Sequence, residues 1–190
     1  MLEEKPVTKH FPDLDLVRKV NKTQFPLSER MPVWMLLRMA RRKNGITDFL
    51  AYYDDDLFVG FTILYTIEDL TSVVILAVDG ATQSKGYGSR ILAHIKSIFP
   101  DNRITINIEV LDESANNSEQ RIRRRNFYFK NGYESSGYVM KLIGPEYEAL
   151  ISNGHSIQID EVFSLYKAMF GTFLFLLLKP LARIRRIDTL

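Results

Sequence analysis

The rhythm of apolar and polar residues changes twice along this chain, dividing it into a helical opening, a run of strands, and a half in which helices and strands alternate. About a dozen residues read as a loose leader ending at Pro12. Asp13 then stands where a helix N-cap is wanted, and Leu14, Leu16, Val17 and Val20 follow at helical spacing. Pro32 opens a second helix with Trp34, Met35, Leu37 and Met39 on or near one face, and Phe25-Pro26-Leu27-Ser28-Glu29-Arg30 between the two reads as a loop. From Thr47 the pattern is that of strands: 48–53, a hairpin turn at Asp54-Asp55-Asp56, 57–67, a turn near Glu68-Asp69, and 71–78.

The second half opens with a helix over 88–99, where Ile91, Leu92, Ile95, Ile98 and Phe99 recur at helical spacing until Pro100 stops it. A strict alternation follows, with Ile104, Ile106, Ile108 and Val110 facing one way and Thr105, Asn107 and Glu109 the other, which predicts a half-polar strand. Residues 118–131 read as a basic helix closed by Gly132. Strands over 134–143 and 146–152 and a short helix over 160–170 complete the pattern. Hairpin-linked strands first and interrupting helices later predict an α/β fold with a mixed, mostly antiparallel central sheet flanked by helices. Residues 1–152 are expected to form one domain, and residues 153–190 a helical and apolar extension of it.

Composition adds bounds rather than chemistry. Of 190 residues, 46% are apolar and 25% charged, a balance that suits a globular protein. There is no cysteine, which excludes disulfides, thiol catalysis and thiolate-bound zinc and accords with a reducing, cytoplasmic setting. The first residues, Met1 to Pro6, lack the apolar stretch of a secretory signal. A net charge of +2 implies no polyanionic partner, although Arg121, Arg123, Arg124 and Arg125 cluster, as do Arg183, Arg185 and Arg186. A solvated helix face is the default for the first cluster, and no nucleic-acid motif accompanies it.

The segment with most chemical content is Gln83-Ser84-Lys85-Gly86-Tyr87-Gly88, set between the apolar run Val73 to Val78 and the helix that carries Ile91 to Phe99. Two glycines at such a joint let the backbone come close to a ligand and turn into a helix whose first amides point outward, a site suited to phosphate or pyrophosphate. The spacing lacks the third glycine of the dinucleotide fingerprint and the Gly-Lys-Ser/Thr ending of a P-loop. It resembles the Q/R-x-x-G-x-G/A segment of the GNAT-type N-acetyltransferase superfamily. A second segment, Asn126-Phe127-Tyr128-Phe129-Lys130-Asn131-Gly132-Tyr133, resembles that family's F-Y-x-x-x-G-F/Y signature. The two lie in the family's order, and the resemblance spans roughly residues 10 to 150.

The resemblance implies acetyl-coenzyme A as cosubstrate, an amine of a small molecule or peptide as acceptor, and direct transfer between them. It implies that Leu76, Ala77 and Val78 lead into the coenzyme turn, and that Gln83, Ser84, Lys85, Gly86, Tyr87, Gly88 and Ser89 hold the pyrophosphate. Tyr128 falls where the family often places a tyrosine near the coenzyme sulfur, and becomes the candidate general acid beside its other reading as a core aromatic. Glu109, a carboxylate on an otherwise apolar strand, is either the general base, or else the partner of an arginine from the 121–125 cluster or a water-facing carboxylate. Glu29 and Arg30, in the loop that lines the acceptor site of many members, are candidate acceptor-binding residues, or a solvated pair.

No metal is expected: His10, His94 and His155 lack ligand spacing, and Asp54-Asp55-Asp56 lacks that of a calcium loop. Phe173 to Leu178 is too short to span a bilayer. After Pro180, Leu181, Ile184 and Ile187 alternate with arginines, which makes the tail an amphipathic segment or an extra element packed on the domain or on a second copy.

Overall fold

The computed structural model describes residues 2–27, 30–41, 46–141, 144–154, 156–171 and 179–187. Glu29, His155 and the run Phe173 to Leu178 lie outside the described residues. The fold is an α/β one, as the hydrophobic pattern predicts, and the described residues form a mixed eight-stranded sheet with five helices.

The chain divides into two compact units, the first of residues 1–66 and 73–100 and the second of 67–72 and 101–190. In the first, the strands follow the order β1 (Leu2–Pro6), β2 (Ile46–Asp54), β3 (Leu57–Ile67) and β4 (Leu70–Val78), with β4 giving its first residues to the second unit. Three helices accompany them: α1 (Leu14–Gln24), α2 (Val33–Ala40) and α3 (Tyr87–Ile98). α1 buries Leu14, Val17 and Val20, and α3 buries Ile91, Leu92 and Ile95, most of each predicted stripe, whereas Leu16 and Phe99 are half-buried and Ile98, near the end of α3, is exposed.

Two expectations are corrected here. The loose leader is strand β1, paired antiparallel with β2 from Leu2 opposite Asp54 to Pro6 opposite Leu50. Its signal is weak because Glu3, Glu4 and Lys5 dominate it, as suits a strand at a sheet edge, where charge and proline discourage further pairing. α2 buries Val33, Leu36 and Met39, at steps of three, which leaves Trp34 67% exposed rather than on the inner face.

The second unit orders its strands β5 (Arg103–Glu109), β7 (Tyr147–Ser152), β6 (Glu134–Lys141) and β8 (Arg183–Arg186), all neighbours here antiparallel, with helices α4 (Ser118–Lys130) and α5 (Ile159–Phe170). The arginines after Pro180 thus lie on an edge strand, Ile184 opposite Met140 and Arg186 opposite Tyr138. Arg185 reaches Glu146 at 2.7 Å, and the Arg186 guanidinium lies over the Tyr138 ring.

α5 opens with a capping box in which Gln158 and Glu161 exchange bonds. Arg103 joins that helix to the β3–β4 turn, donating to Glu161 at 2.6 Å and to Asp69 at 2.8 Å. The polar side of β5 is not uniformly wet: Thr105 is buried and donates to the Leu150 carbonyl, while Asn107 is exposed and reaches the Tyr166 hydroxyl. Among the described residues, no helix is long and apolar enough to cross a membrane.

One close approach decides how β3 and β4 meet. A Cβ on Gly60 would lie 2.2 Å from the Ala77 carbonyl oxygen and 3.0 Å from the Val78 Cα, both backbone atoms that cannot turn aside. Beside it, the β2–β3 register shifts between Tyr52 and Tyr53, so that Val59 is an extra residue on β3, a bulge. Gly60→Val is expected to destabilise the fold by about 3 kcal/mol or more, through overpacking against main chain. Urea unfolding should show the midpoint falling by a corresponding amount.

Candidate functional site

β4 ends where Val59 can hold it. The bulged Val59 carbonyl accepts from the Asp79 amide at 2.9 Å and from the Thr82 hydroxyl at 3.4 Å. Between them runs a single turn of 3₁₀ helix, Gly80–Thr82, whose start is capped by the Asp79 carboxylate on the Ala81 amide. Leu76, Ala77 and Val78 are the last residues of β4, Ala77 buried and its neighbours half-buried.

The next four residues, Gln83 to Gly86, are exposed. Ser84 and Gly86 take left-handed backbone conformations, with φ of 64° and 82°. Gly86 is the N-cap of α3 and has no side chain to cap it, and the first internal bond of the helix runs from the Arg90 amide to the Gly86 carbonyl at 3.1 Å. The amides of Tyr87, Gly88 and Ser89 therefore head the helix without an intrahelical acceptor, and the dipole adds positive potential there. Beyond the adjoining backbone, no described residue lies within 4 Å of where a Gly86 Cβ would stand, so this side of the turn is open to a ligand. With Lys85 exposed beside these amides, the turn can bind an anion.

Side chains from elsewhere tie down both ends of the turn. Gln83 donates through Nε2 to Oε1 of Gln24, the last residue of α1, at 2.5 Å. On the helix side, Asp54 accepts from the Tyr87 hydroxyl at 2.9 Å and from both terminal nitrogens of Arg90, at 2.6 and 2.7 Å. These bonds, the Arg90 one foremost, hold the Asp54 carboxyl down at about 2. The Arg90 guanidinium also lies over the Tyr87 ring, 4.9 Å from its centroid. Sequence reasoning missed Gln24, Asp54 and Arg90; spacing carries no signal for pairs 59, 33 and 36 residues apart.

Arg30, also in the first unit, is half-buried, its amide bonded to the Pro26 carbonyl and its guanidinium 3.4 Å from the Lys22 carbonyl. Just beyond it, Asn21 of α1 is buried and donates to the Met31 carbonyl at 3.0 Å. The loop between α1 and α2 is thereby tied to the end of α1.

Glu109 and Tyr128 belong to the second unit. Glu109, the last residue of β5, is buried and receives Arg121 at 2.9 Å, Arg124 at 3.6 Å and the Asn117 amide nitrogen at 3.1 Å. Arg121 donates as well to the Val110 carbonyl and to the Asn117 side-chain oxygen, each at 2.8 Å. One turn further along α4, Arg125 binds the buried carboxylate of Glu148 at 3.2 Å. The arginine cluster is therefore not simply a solvated face: Arg123 is exposed and pairs with Glu119, whereas Arg121 and Arg125 point to buried carboxylates. Tyr128 follows Arg121 by seven residues, two turns along the same face, and is buried between the rings of Phe127 and Tyr133 at 5.0 and 5.7 Å. Burial pushes its phenol up to about 12, against the nearby charge of Arg124, so the hydroxyl keeps its proton at ordinary pH.

Comparison with known proteins bears directly on this geometry. Residues 45–135, which include the turn and α4, match the model of the GNAT acetyltransferase domain. The chain is similar in structure to a protein of Bacteroides thetaiotaomicron assigned to the GNAT family, at 19% identity, over 91% of this chain and 98% of that one, with a TM-score of 0.67. It is similar also to the ribosomal-protein-S18-alanine N-acetyltransferase of Escherichia coli, at 12% identity over 83% and 96% of the two chains, with a TM-score of 0.59. A GNAT family acetyltransferase of Elizabethkingia anophelis with acetyl-CoA bound matches at 12% identity over 80% and 97%, with a TM-score of 0.53. At these identities the structural likeness is one of fold, and no curated protein matches the chain by sequence. A glycine turn from strand to helix, an F-Y-x-x-x-G-Y segment at the end of the later helix and a matching domain model converge, and residues 45–135 of this chain are similar to a GNAT acetyltransferase domain.

Proposed function

We propose that the protein is an acetyl-CoA-dependent N-acetyltransferase that passes the acetyl group directly to an amine of a small molecule or a protein. The observation that carries this reading is the exposed turn at residues 83–86 running into the uncapped start of α3, which offers backbone amides and Lys85 to a pyrophosphate. The Elizabethkingia anophelis relative holds acetyl-CoA, and the Escherichia coli one is an alanine N-acetyltransferase, in keeping with such a donor and such an acceptor.

In this reading the amine nitrogen forms a bond to the thioester carbonyl carbon, the carbon–sulfur bond breaks, the ammonium proton is lost, and the departing thiolate takes up a proton. Holding donor and acceptor together supplies much of the rate. The chain has no cysteine to carry an acetyl group as a thioester, which accords with transfer in one displacement. Tyr128 is the proposed donor to the thiolate, a phenol that burial keeps protonated.

Glu109 takes a different part from the base that its place on the strand suggested. Both of its oxygens are engaged, one by Arg121 and the other by Arg124 and Asn117, so its proposed role is to tether α4, and with it Tyr128, to the end of β5. Arg30 is the proposed contact for the acceptor, at the end of a loop that its own bonds hold against α1.

Three outcomes test this. Gly86→Val, which puts a side chain into the open space at the helix start, should weaken acetyl-CoA binding at least about tenfold in calorimetry while the protein stays folded; unchanged affinity would move the donor site elsewhere. Tyr128→Phe should lower kcat about 10²-fold with little change in KM once an acceptor is found in an amine panel assayed for thiol release. Binding without turnover on any amine would instead make this domain a coenzyme-binding module. Glu109→Gln should lower stability by about 3 kcal/mol, because two guanidiniums lose their counter-charge, and should leave the acidic limb of the pH–rate profile in place. Disappearance of that limb would return Glu109 to the role of general base.

A further inference from the structure

The turn does little to define its own shape. Its one internal main-chain bond, from the Lys85 amide to the Thr82 carbonyl, is 3.4 Å long, and two of its residues sit in left-handed conformations. Its geometry is imposed from outside. On the helix side the constraint converges on one carboxylate, for Asp54 accepts three bonds and all come from the first turn of α3.

Asp54 is well placed to impose it. It is the last residue of β2, paired across the sheet to Leu2 of β1 and Leu57 of β3, and it immediately precedes the two-residue turn Asp55-Asp56. A group on a strand flanked on both sides is held more firmly than one on a loop. The bidentate Arg90 contact fixes direction as well as distance, and the Tyr87 hydroxyl adds a bond from the first residue of the helix. The pairing restrains the Arg90 side chain too. Arg90 lies within the first turn and is 40% exposed, so without Asp54 its long arm would be free to swing across the helix start.

We propose that Asp54 is a positioning residue for coenzyme binding, acting through Tyr87 and Arg90 to hold the first turn of α3 where its amides meet a pyrophosphate. The inference rests on the coenzyme reading of the turn. Gln24 holds the opposite end through Gln83, so the turn is strung between two fixed points and stays open between them.

Calorimetric titration of the full chain with acetyl-CoA tests it. Asp54→Ala should weaken binding about tenfold, the size expected when charge-assisted bonds that set a geometry are lost. Asp54→Glu, which keeps the carboxylate, should recover affinity to within about threefold of the parent protein, a rescue that a mere change in packing would not produce. Combining Asp54→Ala with Arg90→Ala should weaken binding no further than the weaker single variant, since both remove the same contact. Circular dichroism and the urea midpoint establish that each variant is folded, and Asp54→Asn, with the same shape and no charge, takes the place of an alanine variant that does not fold. A folded Asp54→Ala or Asp54→Asn protein that binds acetyl-CoA as tightly as the parent overturns the inference, as does Asp54→Glu binding no better than Asp54→Ala. Failure of the parent protein itself to bind acetyl-CoA overturns the coenzyme reading, and the inference with it.

Discussion

A turn can offer bare amides to a ligand only if it does not satisfy them itself, and it can keep them aligned only if something else holds it. That constraint organises the first unit. Gly60 lets β3 and β4 approach within backbone contact, the bulge at Val59 turns a carbonyl toward the end of β4, and that carbonyl ends the strand by accepting from Asp79 and Thr82. From there the chain crosses to α3 with Gln24 gripping one end and Asp54 the other. Rigid strands and helices carry the order that the turn lacks, and the turn remains available for binding.

The second unit solves a different problem, the seating of a helix that has little apolar surface. α4 carries arginines where a helix packed on a sheet ordinarily carries leucines, and it turns Arg121 and Arg125 to buried carboxylates at the end of β5 and on β7. Such pairs seldom add much net stability, since desolvation offsets attraction, but breaking one leaves a charge stranded. Directional bonds of this kind specify where a helix sits more narrowly than apolar contact does. The same face bears Tyr128, whose position these bonds therefore help to fix. Arg103 does the same for α5, bridging Asp69 and Glu161.

The likeness in fold to GNAT proteins at 12–19% identity follows from the same physics. Packing asks for apolar residues of suitable size at the right period, which many sequences supply. An anion turn built from main-chain amides asks for little more than a glycine where the backbone is left-handed and room for the ligand beside it. Few side chains are then held to one identity, and the fold outlasts sequence similarity.

Periodicity alone located the main helices and strands, because burial on one face writes itself into spacing: Leu14, Val17 and Val20 of α1, Ile91, Leu92 and Ile95 of α3 and the isoleucines of β5 follow it, whereas exposed Ile98 and buried Thr105 and Glu109 depart from it. The glycine turn was legible for a related reason, since left-handed backbone at a helix start leaves glycine few substitutes. Strand β1 was hidden by its charges, and the burial of Arg121 and Arg125 by the general habit of arginine to face water. Trp34 is large and apolar, yet its angle on α2 lies off the buried stripe of Val33, Leu36 and Met39. What only the tertiary structure decided were the pairings, Asp54 with Arg90, Gln24 with Gln83 and Glu109 with Arg121, which join residues 36, 59 and 12 positions apart. A pattern read along the chain records which face of each element is buried, because that depends on near neighbours. Which polar group meets which depends on how strands and helices are laid side by side, and that order exists only once the chain has folded.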